Sequence, residues 1–243
     1  MDSPKRLART AGVLYLLVGI FGGFAQGFVY PRIYVAGDAA QTAGNVLANA
    51  GLVRLGVVAD LVQATVWAFV AMALYRLLRH VNRSVASAMV VLAAIGAGIT
   101  CLTAVFEFEA VRVAIGAVDL ADLGAGGSRA LVLLLVDAHH YGLLSAQIFF
   151  GLWLVPMGYL AYRSGWFPKA LSIMLVVGCA CYLVDLLAAF LAPNVGKAIH
   201  GFVSIPPAIA EIWMVGYLLV IGVRSVKPDR RMVTAAALPG AGA

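Results

Sequence analysis

Charge is scarce in this chain. Asp, Glu, Lys and Arg together make up 12% of its 243 residues, against 63% apolar. A soluble domain of this length has about twice that charged fraction and roughly half apolar residues. The composition excludes an ordinary soluble class and points to an integral membrane protein of one domain. Cysteine is scarce too. Cys101, Cys179 and Cys181 all lie in apolar runs, where buried thiols behave as small hydrophobes, and three such residues imply no disulfide framework. Cys179 and Cys181 are two apart, so on a helix they point to nearly opposite sides and cannot share a metal. The familiar catalytic signatures are missing as well. There is no HExxH and no GxSxG, and the GAGG at 124–127 is not followed by Lys-Ser/Thr, which leaves zinc-protease, serine-hydrolase and phosphate-loop chemistry without a motif. The formal net charge is +6. Its basic residues sit at the ends of apolar runs and form no patch or reading motif, which argues against a nucleic-acid partner.

What is present is length of apolar sequence. A membrane-spanning helix needs about 20 mostly apolar residues, and six stretches qualify, near 10–30, 52–76, 85–112, 136–162, 168–192 and 204–223. They are too long, and too free of polar alternation, for barrel strands. The first run begins with Lys5, Arg6 and Arg9 like a signal peptide. It is longer than a signal core and no small-residue cleavage site follows, so it is expected to be a retained helix.

Lys and Arg set the expected orientation. Twelve of the seventeen fall on the side that carries both termini and the turns near 77–84 and 163–168. The other five are Arg32, Arg54, Arg112, Arg129 and Lys197. Positive residues stay in the cytoplasm, so both termini are expected there. The outer connections 31–51 and 113–135 are long enough for short amphipathic helices lying along the membrane. In GDAAQTAGNVLANAG, Asp38 is placed to N-cap such a helix and Gly51 to close it. The expected architecture is an all-α integral membrane protein with six transmembrane helices and both ends inside. Residues 1–226 form the domain, and 227–243 a disordered cytoplasmic tail.

Acids inside spans are a site hypothesis by default, because charge in hydrocarbon costs a few kcal/mol or more. At a rise of about 1.5 Å per residue, Asp60 and Asp185 lie about 24 Å from the cytoplasmic Arg76 and Lys169, and Glu211 about 20 Å from Arg224. Glu107 and His139 each lie about 36 Å from the cytoplasmic arginine of their own span. The polar groups therefore form a layer in the outer half of the bilayer. The run LVLLLVDAHHYG at 131–142 feeds this layer. Asp137 can meet His140 and Tyr141 three and four residues on, while His139 points along a face continued by Gly142 and Ala146, where small residues admit a close neighbour. Glu109 and Arg112 are spaced as an i,i+3 ion pair. The bland account of the deeper acids is interhelical hydrogen bonding that fixes helix register. Trp67, Trp153, Trp166 and Trp213 suit packing or interface anchoring. Pro206 and Pro207 predict an irregular start to the last span.

Several of these stretches resemble a family of bacterial six-helix membrane proteins known only as domain of unknown function 4386. They are ARTAGVLYLLVGIFGGF at 8–24, GDAAQTAGNVLANAGLVRLGVVADL at 37–61, AHHYGLLSAQIFFGLWLVPMGYLAYRSGWFPKAL at 138–171, GCACYLVDLL at 178–187 and IPPAIAEIWM at 205–214. The resemblance runs from about residue 8 to 224. It implies the six-helix fold and a plasma-membrane location, and no activity. It marks Asp60, His139, Tyr141, Gly142, Asp185 and Glu211 as recurring polar or small positions. It gives Asn or Asp more often at the position of His140, which favours His139 over a two-histidine site. The third span matches less clearly, so the resemblance gives Glu107 and Glu109 no part in a site.

Three functions compete. The first is a protein that binds or transports a small solute, cation or lipid at a polar pocket of Asp60, His139, Tyr141, Asp185 and Glu211, with Asp137, His140 and Gln147 behind them. The second is a structural or accessory subunit in which the same residues only fix helix register. The third is an intramembrane metal-dependent hydrolase using His139 with Asp60 and Glu211. The third lacks a second well-placed histidine, since His80 reads as cytoplasmic and His200 as part of an outer loop. The first is the expectation, with no catalytic residue, metal or cofactor assigned and the lipid bilayer as the one definite partner.

Overall fold

A computed structural model describes residues 3–224 of the chain; the expected tail at 227–243 lies outside the described residues. The described chain is helical, without strands. Its helices in order are α1 (Pro4–Gly22), α2 (Tyr30–Ile33), α3 (Ala39–Ala48), α4 (Ala50–Leu78), α5 (Arg83–Ala114), α6 (Gly124–Leu152), α7 (Leu154–Ser164), α8 (Lys169–Leu191), α9 (Pro193–Val203) and α10 (Ile205–Val220). A seven-residue π-helical segment, Gly23–Val29, joins α1 to α2 without a break, and a single 3-10 turn, Ala121–Leu123, precedes α6. Six of the resulting rods are long and apolar enough to cross a membrane: Pro4–Ile33, Ala50–Leu78, Arg83–Ala114, Gly124–Ser164, Lys169–Leu191 and Pro193–Val220. Their outer faces expose large apolar side chains, among them Leu102, Leu134, Ile212 and Val220. A soluble monomer keeps such patches to a few hundred Å². The chain is a multi-pass membrane protein by this measure.

The rods follow local chemistry. Asp38 caps α3, accepting from the Gln41 amide at 2.9 Å, and Asn82 caps α5, accepting from Val85 at 3.1 Å; both satisfy amides that a helix start leaves orphaned. Gly165 closes α7 with φ of 69°, the left-handed conformation that glycine adopts at no steric cost. Two rods are interrupted where proline removes an amide. Pro156 leaves the carbonyl of Leu152 without its helical donor, and the helix breaks at Trp153. Pro206 and Pro207 do the same at Ser204.

Three boundaries differ from the sequence reading. α3 ends at Ala48, and Asn49 closes it, its side chain donating to the Asn45 carbonyl at 2.9 Å; Gly51 lies inside α4 instead. The fourth rod begins at Gly124 rather than near 136, because GSRALVLLL has no breaker and simply continues the helix. Residues 193–203, read as loop, form α9, which Pro193 starts from a position where a proline needs no donor.

Packing divides the bundle. One apolar cluster gathers Trp67, Leu74, Met89, Trp153, Leu154, Met157, Leu171 and Met214. A smaller one gathers Ile33, Val46, Val53, Val111, Val132 and Val136, with α3 laid over it. Along α4, α5 and α6 the buried polar side chains fall between the two. At the end nearer the larger cluster, the carbonyl of Trp166 accepts from the Tyr217 hydroxyl at 2.8 Å and the Arg224 amide at 3.3 Å. The His80 ring lies 4.5 Å from that of Trp166. The two turns and the end of α10 therefore meet at one end of the bundle, and the polar layer sits toward the other.

Candidate functional site

The first group of polar residues is the most deeply enclosed. Asp60 of α4, Glu107 of α5 and His139 of α6 are 0%, 3% and 0% exposed. The π segment of the first rod brings Gln26 to them. Its Nε2 donates to Asp60 Oδ1 and Oδ2 at 3.1 and 3.0 Å and lies 3.4 Å from His139 Nε2. Segments of this kind widen the helix by one residue per turn and recur at functional sites. His139 Nδ1 lies 3.0 Å from the backbone carbonyl of Thr103. A carbonyl only accepts, so Nδ1 carries a proton, and in the neutral ring Nε2 presents its lone pair. That nitrogen is 3.8 Å from Asp60 Oδ2 and 3.9 Å from Glu107 Oε2. The Thr103 contact depends on Gly142, one turn along α6, where a Cβ would stand 2.3 Å from Thr103 Cγ2.

The second group joins α8, α9 and α6. Asp185 Oδ1 and Oδ2 lie 2.9 and 3.0 Å from His200 Nδ1, and Gln147 Nε2 donates to Oδ2 at 3.4 Å. Gln147 Oε1 is buried without a partner. In the third group, Glu211 accepts from the hydroxyls of Tyr15 at 2.8 Å and Tyr182 at 3.0 Å, so both carboxylate oxygens are held across three rods.

Cavities connect these groups. One of about 310 Å³ is bordered by His140, Tyr141, Asp185, Lys197 and His200. A second, about 320 Å³, shares His140, Leu144 and His200 with it and reaches Asp60, Gln26 and Gln147. A third, about 250 Å³, shares Gln26, Gln63 and Phe150 with the second and ends at Tyr15, Tyr182 and Glu211. Nearer the α3 end, Asp137 accepts from the Tyr34 hydroxyl at 2.7 Å, and the His140 ring stacks on Tyr30 and Tyr34. Tyr34 lies just past the first span. Its phenol is pushed well above its ordinary range, first by burial and then by donating to Asp137.

A family profile, described as a domain of unknown function (DUF4386), matches residues 10–222. The chain belongs to the DUF4386 family. Its six apolar rods accord with that membership, and DUF4386 itself assigns no activity. No curated protein and no solved structure matches the chain.

Within this member of DUF4386, the residues singled out from sequence do not share one pocket. Asp60 and His139 come together; Asp185 and Gln147 form another group, and Glu211 a third. His140 borders two cavities. Tyr141 is half exposed at the rim of the outermost one, against Phe190. Asp137 turns to Tyr34, not to His140 or Tyr141. Glu109 and Arg112 form their ion pair at 2.8 Å, away from the buried groups. Sequence reasoning missed Gln26, Glu107, His200 and the tyrosines that donate to the acids. For Glu107 a signal existed: it and His139 lie the same 24 residues from Arg83 and Arg163, the arginines at the far ends of their spans. His200 was hidden by reading α9 as loop.

Proposed function

We propose that the chain is a multi-pass protein of the bacterial plasma membrane, with both termini in the cytoplasm, that binds a small polar or cationic solute through a path of cavities opening on the outer side. The observation behind this reading is the sharing of lining residues by three successive cavities, each bordered by one acid: Asp185, then Asp60, then Glu211. Apolar pockets with a few convergent polar groups are the usual form of a small-molecule site, and intramembrane acids mark solute and ion paths. The orientation rests on the positive-inside rule. α3 then covers the outer end of the bundle, beside the smaller apolar cluster. Glu211, held by two tyrosines, favours a structural part for the innermost group, so binding is assigned to the outer two cavities.

Access is the testable element. Leu144 borders both outer cavities. In a background with Cys101, Cys179 and Cys181 replaced by alanine, Leu144→Cys should react with the membrane-impermeant cation MTSET in right-side-out vesicles and not in inside-out ones. Ser84→Cys, exposed at the start of α5, should show the reverse. Labelling of Leu144→Cys from the inner side, or from neither side, overturns the reading.

A further inference from the structure

The chemistry of Asp60, Glu107 and His139 goes beyond solute access. Each offers one ligand atom, and these atoms lie within 4.8 Å of one another. They come from three rods, and all three residues are buried. The His139 tautomer is the decisive detail. With Nδ1–H committed to the Thr103 carbonyl, the neutral ring presents its Nε2 lone pair toward two carboxylates. A histidine oriented through its other nitrogen onto a backbone carbonyl is the usual arrangement behind a metal ligand.

Hydrogen bonding between helices does not account for the group. Gln26 serves Asp60. Among the described residues, however, no donor reaches the carboxylate of Glu107, which is 97% buried and has His139 Nε2 at 3.9 Å as its neighbour. A buried carboxylate without a donor takes up a proton or is accompanied by a positive charge, and no Lys or Arg lies in this group. The distances suit an ion. Ligand bonds of about 2.0–2.2 Å in tetrahedral geometry place neighbouring ligand atoms roughly 3.3–3.6 Å apart. The His139–carboxylate separations of 3.8 and 3.9 Å exceed that by a few tenths of an ångström, and the two carboxylates, within 4.8 Å of each other, close on an ion by side-chain rotation. One imidazole with two carboxylates suits a borderline divalent metal. It lacks the six to eight oxygens of a calcium site and the thiolates of a copper(I) site. Gln26 can turn its amide to offer an oxygen as a fourth ligand, and with Asp60 it borders the second cavity, which places the group beside that space.

We propose that Asp60, Glu107 and His139 bind one divalent transition-metal ion of the zinc class. The test uses tag-free, full-length protein in lipid nanodiscs, chelator-treated and then equilibrated with Zn²⁺, or with Co²⁺ as a spectroscopic probe. The expected result is one ion per chain, visible-region Co²⁺ bands that Zn²⁺ abolishes, and at least about a tenfold loss of Zn²⁺ affinity in Glu107→Gln and in His139→Gln. Glu109→Gln, two residues along α5 and paired with Arg112, should bind as the parent does. Should the ligand variants not fold, the Co²⁺-loaded parent decides. It must show a hyperfine-shifted, slowly exchanging imidazole N–H, the Nδ1 proton of His139. Absence of that signal, no stoichiometric metal on the parent, or undiminished binding in folded Glu107→Gln overturns the proposal. None of these results bears on the cysteine-labelling test of cavity access.

Discussion

Gly142→Ala is a one-carbon change whose effect can be worked from the packing. The added Cβ would stand 2.3 Å from Thr103 Cγ2 and 3.3 Å from Thr103 Cβ, where carbon atoms settle at about 3.5–4.0 Å. Thr103 is poorly placed to turn away: it is 3% exposed, and its hydroxyl donates to the Thr100 carbonyl at 3.0 Å. Relief requires α6 to move from α5 by about 1 Å, which stretches the 3.0 Å His139–Thr103 bond beyond hydrogen-bonding range. Overpacking costs about 1–3 kcal/mol and the lost bond about 1 kcal/mol more, so the variant should be destabilised by about 2–4 kcal/mol. Reversible unfolding in mixed micelles of rising SDS content, followed by tryptophan fluorescence, measures this directly. Thr103→Ser removes the offending methyl and keeps the hydroxyl, so the double variant should recover at least half of the loss. A cost below about 0.5 kcal/mol, or an equal cost with and without Thr103→Ser, would refute the claim that Gly142 sets the α5–α6 distance.

Three further outcomes follow from other contacts. Trp67 is buried and packs edge-on to Phe150 and Trp153 at ring separations of 5.0 and 5.4 Å; Trp67→Ala should cost about 3–5 kcal/mol in the same unfolding experiment. Tyr182→Phe removes one of two donors to the partly buried Glu211 and should cost about 0.5–1.5 kcal/mol; the Tyr15→Phe/Tyr182→Phe pair should lose more than the sum of the single changes. Because the Tyr34 phenol titrates above its unfolded value, its stabilising contribution is complete below about pH 10 and is lost as pH rises through the higher folded value. Stability measured from about pH 9 upward should therefore fall more steeply for the parent than for Tyr34→Phe, and parallel curves would remove Tyr34 from the account.

The rods were legible because a membrane span declares itself by length and apolarity, and each of the six runs became one. Their ends were less legible, since the apolar run from Ala130 gave no sign that the helix had already begun at Gly124, and Pro193 was read as loop although it starts a helix. Pairings across the fold were harder still. Tyr15 and Glu211 are 196 residues apart, and a tyrosine in a span reads as interface or packing until its hydroxyl is located. Gln26 was invisible for another reason: α-helical periodicity does not predict where a side chain points inside a π segment. The depth count did place Glu107 level with His139, and the resemblance, weaker in the third span, drew attention away from it.

The π segment at Gly23–Val29 also makes the first rod a coupling with a set phase. Its lower part is keyed to α10 through Tyr15 and Glu211, its upper part to α4 and α6 through Gln26, Tyr30 and Tyr34. Gain of one α-helical residue beside the segment would leave two sound half-helices, but rotate one against the other by roughly 100° and lengthen the rod by about 1.5 Å. Either the tyrosine or the glutamine would then face lipid. Chain length within these seven residues is thus constrained far more tightly than their side chains, two of the seven being glycines. Substitution there tunes contacts, whereas insertion uncouples the two ends of the molecule.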